Sequence, residues 1–148
     1  MTNQVHRRVA MTYVPVYCDA CARGSLVRAK HVLEPLPCTF CEEQTRPIPG
    51  PAFGDGDWLA FADIDAAVFE ADLDAERASS LAAELQAGLD RSESFPAIIA
   101  QMLAREPALA AARPALVNDP ARGVGMLMTA FTARLRHVSE RPPSPDQG

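Results

Sequence analysis

The sequence predicts an α+β protein: a small N-terminal unit of short antiparallel strands held by four cysteines, then an α-helical bundle of about four helices. Three observations point there. All four cysteines of the 148-residue chain lie before residue 50, as two Cys-x-x-Cys pairs. Short segments rich in β-branched and aromatic residues flank those pairs, and from Asp63 onward the apolar period lengthens from two to about 3.6. Charge divides at the same place, with six Lys/Arg against four Asp/Glu in residues 1–50 and eight against fifteen in residues 51–148. A chain that is 48% hydrophobic and 22% charged has the composition of a folded protein, and its length excludes a large multidomain enzyme. The net charge of −5 argues against a protein that coats nucleic acid.

The cysteine pairs are Cys18-Asp-Ala-Cys21 and Cys38-Thr-Phe-Cys41, separated by sixteen residues, inside the roughly 15 to 20 expected of zinc sites. Two thiolates three positions apart grip one side of a tetrahedral ion at about 2.3 Å, and a tight turn leaves backbone N–H groups free to stabilise their charge. Two such turns close a four-coordinate shell. With Cys18, Cys21, Cys38 and Cys41 filling every position, no site remains for water or substrate, so the expected cofactor is a structural Zn²⁺. A rubredoxin-like iron site uses the same shell. A redox dithiol lacks the βαβ context expected of it, and a disulfide or metal-free form is the remaining alternative. His31 stands between the pairs, where a solvent-facing role explains it better than ligation.

Around the pairs, Tyr13–Tyr17 and Ser25–Ala29 read as strands, as does Thr45–Ile48. Gly24, Pro35, Pro37 and Gly50 bound them, and the prolines place them at sheet edges. This arrangement resembles a zinc ribbon, a broad structural class, over residues 13–50. The resemblance implies a fold and a structural metal, not an activity. Many ribbon knuckles carry Pro after the first Cys and Gly after the second; here Asp19 and Ala22, then Thr39 and Glu42, stand in those places.

Arg23, Arg28, Lys30 and His31 lie between the pairs, with Arg7, Arg8 and Arg46 outside them. Such cations meet phosphates, and Tyr13, Tyr17 and Phe40 offer faces for bases. The plainer reading is charge balance: an ion held by four thiolates carries about −2, which brings this half close to neutral.

Residues 51–62 form a Pro/Gly-dense linker whose Trp58, Leu59 and Phe61 act as an apolar anchor. Its aspartates do not match a calcium loop. A first helix, 64–71, is capped by Asp63 and presents Ile64, Val68 and Phe69. A second, 75–90, is capped by Asp74, with Ala78, Leu81, Ala82, Leu85 and Leu89 on one face. Ser94 and Pro96 open a third, 96–105, facing the core with Ile98, Ile99, Met102 and Leu103. Pro107 and Pro114 bound a short helical piece. Asp119-Pro120 starts the last helix, 120–138, whose stripe is Val124, Leu127, Met128, Phe131, Leu135 and Val138. That helix is also apolar at Met126 and Ala130, so it is either central in the bundle or shared with another chain. Residues 1–12 read as a flexible arm, 63–138 as the bundle and 139–148 as a disordered tail.

No catalytic residues are assigned. The chain lacks G-x-S-x-G, H-E-x-x-H and Walker patterns, and His6, His31 and His137 are dispersed. The pairs Asp63/Asp65 and Asp72/Asp74 are spaced by two, so each reads as helix-start charge. The start of the chain has no apolar run of about 7 to 15 residues, and nothing reaches the roughly 18 to 20 needed to span a bilayer; a cytoplasmic location is expected. Arginine outnumbers lysine thirteen to one, a bias associated with GC-rich bacterial genomes. The expected function is a non-enzymatic, zinc-stabilised interaction or adaptor protein, binding a partner or a second copy through its helical half. The alternatives are a nucleic-acid-binding, transcription-related ribbon regulator and a redox or rubredoxin-like iron protein.

Overall fold

The structure, a computed structural model, describes residues 12–18, 20–21, 23–31, 36–38, 40–43, 45–47 and 53–140. Residues 1–11 of the arm, the tail beyond Glu140, and Asp19, Ala22 and Thr39 of the cysteine turns lie outside it, as do the side chains of His31 and Trp58. What is described is α+β: a three-stranded antiparallel sheet and five α-helices.

The strands are β1 (Tyr13–Cys18), β2 (Gly24–Arg28) and β3 (Thr45–Pro47), in the order β2-β1-β3. Tyr17 pairs with Gly24 and Tyr13 with Arg28 on one side of β1, and Val16 pairs with Pro47 and Cys18 with Thr45 on the other. The central strand therefore carries a proline, where the sequence pattern placed prolines at edges. The ladder explains it. Cys18 N–H donates to Arg23 in the β2 direction and Tyr13 N–H donates to Phe53 in the opposite one. By alternation the nitrogen of Pro15 falls on the Phe53 side, away from β2, so the β1–β2 ladder needs no N–H from it.

The same bridge corrects the linker. Phe53 exchanges two backbone hydrogen bonds with Tyr13, at 2.8 and 2.9 Å, and its ring is buried. A short 3₁₀ turn, Asp55–Asp57, then runs directly into α1 (Trp58–Ala71). The first helix thus begins six residues before the predicted 64, and Asp63 is an exposed mid-helix residue instead of a cap. The apolar spacing Phe61, Ile64, Val68 continues through it, and that stripe outweighs the weak helix propensity of one aspartate. Of the predicted anchor, Phe61 is buried, while Leu59 is 81% exposed. Phe69, expected in the core, is partly exposed at the joint with the cysteine turns.

The remaining helices follow the sequence closely: α2 (Ala75–Asp90), α3 (Phe95–Arg105), α4 (Arg113–Asn118) and α5 (Pro120–Glu140), with a 3₁₀ segment at Pro107–Ala112. Asp74 Oδ1 accepts from Arg77 N–H at 2.8 Å and Ser94 Oγ from Ala97 N–H at 3.2 Å, as the capping pattern required. α5 runs two residues past the predicted 138. It packs against α1, α2, α3 and α4, and both its faces are buried, Phe131 and Leu127 on one and Met126 and Ala130 on the other. Its two-faced apolar character is therefore used up at the centre of the bundle. Gly123 makes one of these contacts: a β-carbon there would stand 2.8 Å from the backbone oxygen of Leu116, so only glycine lets α5 lie this close to α4.

Sheet and helices share one apolar core. Tyr13, Tyr17 and Leu26 of the sheet, with Phe53, belong to the same buried cluster as Phe61, Ile64, Leu81 and Phe131. Phe61 meets Tyr17 edge-on, ring centroids 6.2 Å apart, and Phe53 at 6.1 Å.

Candidate metal centre

β1 delivers Cys18 at its last residue, and the turn that follows carries Cys21 before β2 begins. The second pair sits between Leu36 and β3. There Cys38 N–H donates to Glu43 at 2.6 Å, Glu42 N–H to Cys38 at 2.9 Å, and Thr45 N–H to Leu36 at 3.0 Å. Cys18 N–H to Arg23 at 3.1 Å closes the first turn in the same way that Cys38 N–H to Glu43 closes the second. Each turn also aims an amide at its leading sulfur: Ala20 N–H donates to Cys18 Sγ and Phe40 N–H to Cys38 Sγ, both at 3.3 Å. Amide hydrogens placed this way stabilise a thiolate. Glu42, just after Cys41, has φ 68°, the left-handed conformation that glycine adopts most cheaply. Two local turns, each set by backbone hydrogen bonds, thus point their sulfurs at one spot.

The sulfurs meet there. Cys18 Sγ and Cys41 Sγ are 3.3 Å apart, Cys21 Sγ and Cys38 Sγ 3.7 Å, and all four lie within 4.8 Å of one another. A tetrahedral ion with sulfur ligands at about 2.3 Å requires edges of about 3.8 Å. The donor set fits. All four cysteines are free of disulfides, two of them buried and Cys41 exposed. The four predicted ligands are brought together as a cluster able to hold a metal ion.

Burial pushes the Cys21 thiol up to about 12, against a backbone hydrogen bond from Arg23. Burial likewise raises Cys18. It works against ionisation of Cys38 too, but the amides of Phe40 and Cys41 and the thiols of Cys21 and Cys41 outweigh it, leaving Cys38 below its ordinary value. Four crowded sulfurs cannot all ionise alone, so a cation that replaces their protons is what this pocket of sulfur favours.

Among the basic and aromatic residues read beside the cysteines, Arg23 and the three aromatic residues are engaged within the chain. Arg23 Nε donates to Asp65 Oδ2 at 3.2 Å, and its guanidinium lies over Phe40 at 4.1 Å from the ring centroid and over Phe69 at 4.9 Å. Tyr13 and Tyr17 are buried. Arg28 and Lys30 are exposed, and Arg7 and Arg8 lie outside the described residues.

Asp65 is the residue that spacing arguments misassigned. Read as helix-start charge, it is instead 3% exposed. Gly24 N–H donates to it at 3.1 Å in addition to Arg23. Burial raises its carboxyl above the ordinary value, and the Gly24 amide and Arg23 pull it back. The signal was in the helical period: Phe61, Ile64, Asp65 and Val68 fall at i, i+3, i+4 and i+7, which puts Asp65 on the apolar stripe. Beside it stands the buried Tyr17 hydroxyl, and burial, with the neighbouring Asp65 carboxylate second, raises its pKa well above the ordinary value.

No family model, curated protein or solved structure matches this chain. Among the described residues, no helix is long and apolar enough to cross a membrane.

Proposed function

We propose that the chain is a non-enzymatic, zinc-stabilised interaction protein: a zinc ribbon carrying a structural Zn²⁺ on Cys18, Cys21, Cys38 and Cys41, attached to a helical half that binds another protein or a second copy. The four converging sulfurs are the observation that carries this reading. A shell closed by four thiolates has no place for substrate or water, which supports a structural role over a catalytic one. Cysteine turns that bury little apolar surface of their own also suit a metal that supplies folding energy.

A protein partner is preferred to nucleic acid because Arg23 is committed to Asp65 and two of the three aromatic faces are buried. The interaction surface lies on outer helical faces, since α5 is spent internally; Leu59, Phe95 and Val117 are exposed there. A cytoplasmic location goes with this reading, because reduced thiols persist there.

Elemental analysis of purified protein tests the metal: one zinc per chain is expected, and iron, which would be coloured, or no metal at all would overturn it. Light scattering and capture of partners from the native host test the rest. A strictly monomeric chain that captures nothing would remove the adaptor reading.

A further inference from the structure

Arg23 leaves the first cysteine turn and enters the joint between sheet and helices. Its Nε and the following amide, Gly24 N–H, both donate to Oδ2 of Asp65, at 3.2 and 3.1 Å. That carboxylate stands on the buried face of α1. The guanidinium is also bracketed by two rings, Phe40 at 4.1 Å and Phe69 at 4.9 Å. Phe40 lies between Cys38 and Cys41, and Phe69 lies one turn beyond Asp65 in α1. One cation therefore touches the first cysteine turn by sequence, the second by stacking, and the helical half by a buried ion pair.

We propose that Arg23 is a positioning residue that couples metal occupancy to the seating of α1, so that the stability of the helical half reports whether the four cysteines hold their ion. The inference rests on the metal reading above. The second cysteine turn is a short segment with little apolar anchorage: Phe40 is 52% exposed. An ion shared by Cys18, Cys21, Cys38 and Cys41 ties that turn to the end of β1 and so keeps Phe40 where Arg23 stacks on it. A guanidinium held within 4.1 Å of the Phe40 ring centroid and 4.9 Å of that of Phe69 is in turn kept in line with Asp65. Without that alignment a buried carboxylate loses its cation, an arrangement far costlier than an exposed pair broken at the surface. Coupling of this kind is reciprocal: whatever factor the ion contributes to seating α1, the seated α1 returns as tighter ion binding.

The test measures both directions on the full chain. Zinc affinity is read by competition with a chromophoric chelator, and helix melting is followed at 222 nm with and without zinc. The proteins compared are the unaltered chain, Phe40→Leu, which alters an exposed ring, and Arg23→Lys, which keeps the charge but not the planar stack. Zinc should raise the melting temperature of the unaltered chain. Both variants should still bind one zinc, at least about fivefold more weakly, and show a smaller zinc-dependent rise.

Equal zinc affinity in all three proteins would overturn the coupling, as would a helical melt in the unaltered chain that ignores zinc. If Arg23→Lys fails to fold, Phe40→Leu decides alone. Failure of the unaltered chain to bind zinc would instead remove the metal reading itself, before either variant is consulted.

Discussion

The cysteine turns and the helical bundle are held together by different means. Around the turns, Cys18 and Cys38 are buried but Phe40, Cys41, Glu42 and Glu43 are exposed, and order comes from amide–sulfur and backbone hydrogen bonds. In the bundle, Leu81, Leu85, Met102, Leu127 and Phe131 are fully buried, and order comes from apolar area removed from water. Strand β1 belongs to both regimes, with Tyr13 and Tyr17 in the apolar core and Cys18 in the sulfur cluster. On the metal reading, the region with few buried side chains needs its ligand in order to fold, while the one with a dense core draws only part of its stability from it. The variants below separate the two.

Cys38→Ser should have the largest effect. On the proposed zinc reading it removes one of four ligands, and structural zinc binding is worth on the order of 10 kcal/mol. Zinc retention should be lost. The near-ultraviolet tyrosine signal should collapse too, since both tyrosines of the chain lie in β1. The helical signal at 222 nm should persist at room temperature but melt earlier, because α2, α3 and α5 also pack on one another, while Tyr13, Tyr17 and Leu26 of the sheet contribute to the same core. Simultaneous loss of both signals would show that the bundle cannot stand without the ion.

Phe131→Ala is the reverse experiment. Phe131 is the largest of the fully buried side chains, at the centre of α5. Its truncation should cost about 3 to 5 kcal/mol and lower the 222 nm melting temperature by roughly 10 °C, while a stoichiometric metal is still bound below that transition. Loss of the metal at room temperature would mean that the cysteine turns borrow their order from the bundle.

Gly24→Ala probes the seam. A β-carbon at Gly24 would lie 2.5 Å from Cε1 of Tyr17, the residue paired with it across the strands. That ring is wedged against Phe61 and cannot step aside freely, so a cost of about 1 to 3 kcal/mol is expected. Combining it with Tyr17→Leu should recover part of the loss in a thermal melt. A fully additive double variant would rule out this contact as the cause.

What the sequence disclosed divides along the same line of physics. The clustering of Cys18, Cys21, Cys38 and Cys41 was legible because each pair is local and its spacing is the one that binding a metal ion would require. The caps at Asp74 and Ser94 were legible because a side chain reaching an amide three residues on is also local. Arg23 with Asp65, Tyr13 with Phe53, and β3 beside β1 join residues far apart in the chain, and no period records them. The early start of α1 was hidden for another reason: a Gly/Asp-rich turn reads as the end of order, whereas here it leads straight into the helix. The seam between the regions is thus the part least visible in the sequence, and it is made of those distant pairs.

The smallest effect should come from two exposed residues in the left-handed conformation, one in each region. Glu42 follows Cys41 with φ 68°, and Ser92 follows α2 with φ 58°. Each backbone N–H is hydrogen-bonded, Glu42 to Cys38 at 2.9 Å and Ser92 to Leu89 at 3.0 Å, so replacing either side chain leaves the turn's bonding intact. A left-handed residue with a β-carbon costs roughly 1 to 2 kcal/mol, and glycine gives back part of the gain through its freer unfolded chain. A net benefit of about 0.5 to 1 kcal/mol is left for either substitution. The energies are alike but the readouts should differ. Glu42→Gly relaxes a turn that carries two of the four cysteines, so the gain should appear as zinc affinity about two- to fivefold tighter, with the zinc-free helical melt nearly unmoved. Ser92→Gly should raise the 222 nm melting temperature by about 2 °C and leave zinc affinity alone. If Ser92→Gly tightened zinc binding as much as Glu42→Gly does, the division of labour between ligand and apolar core would be refuted at its most local level.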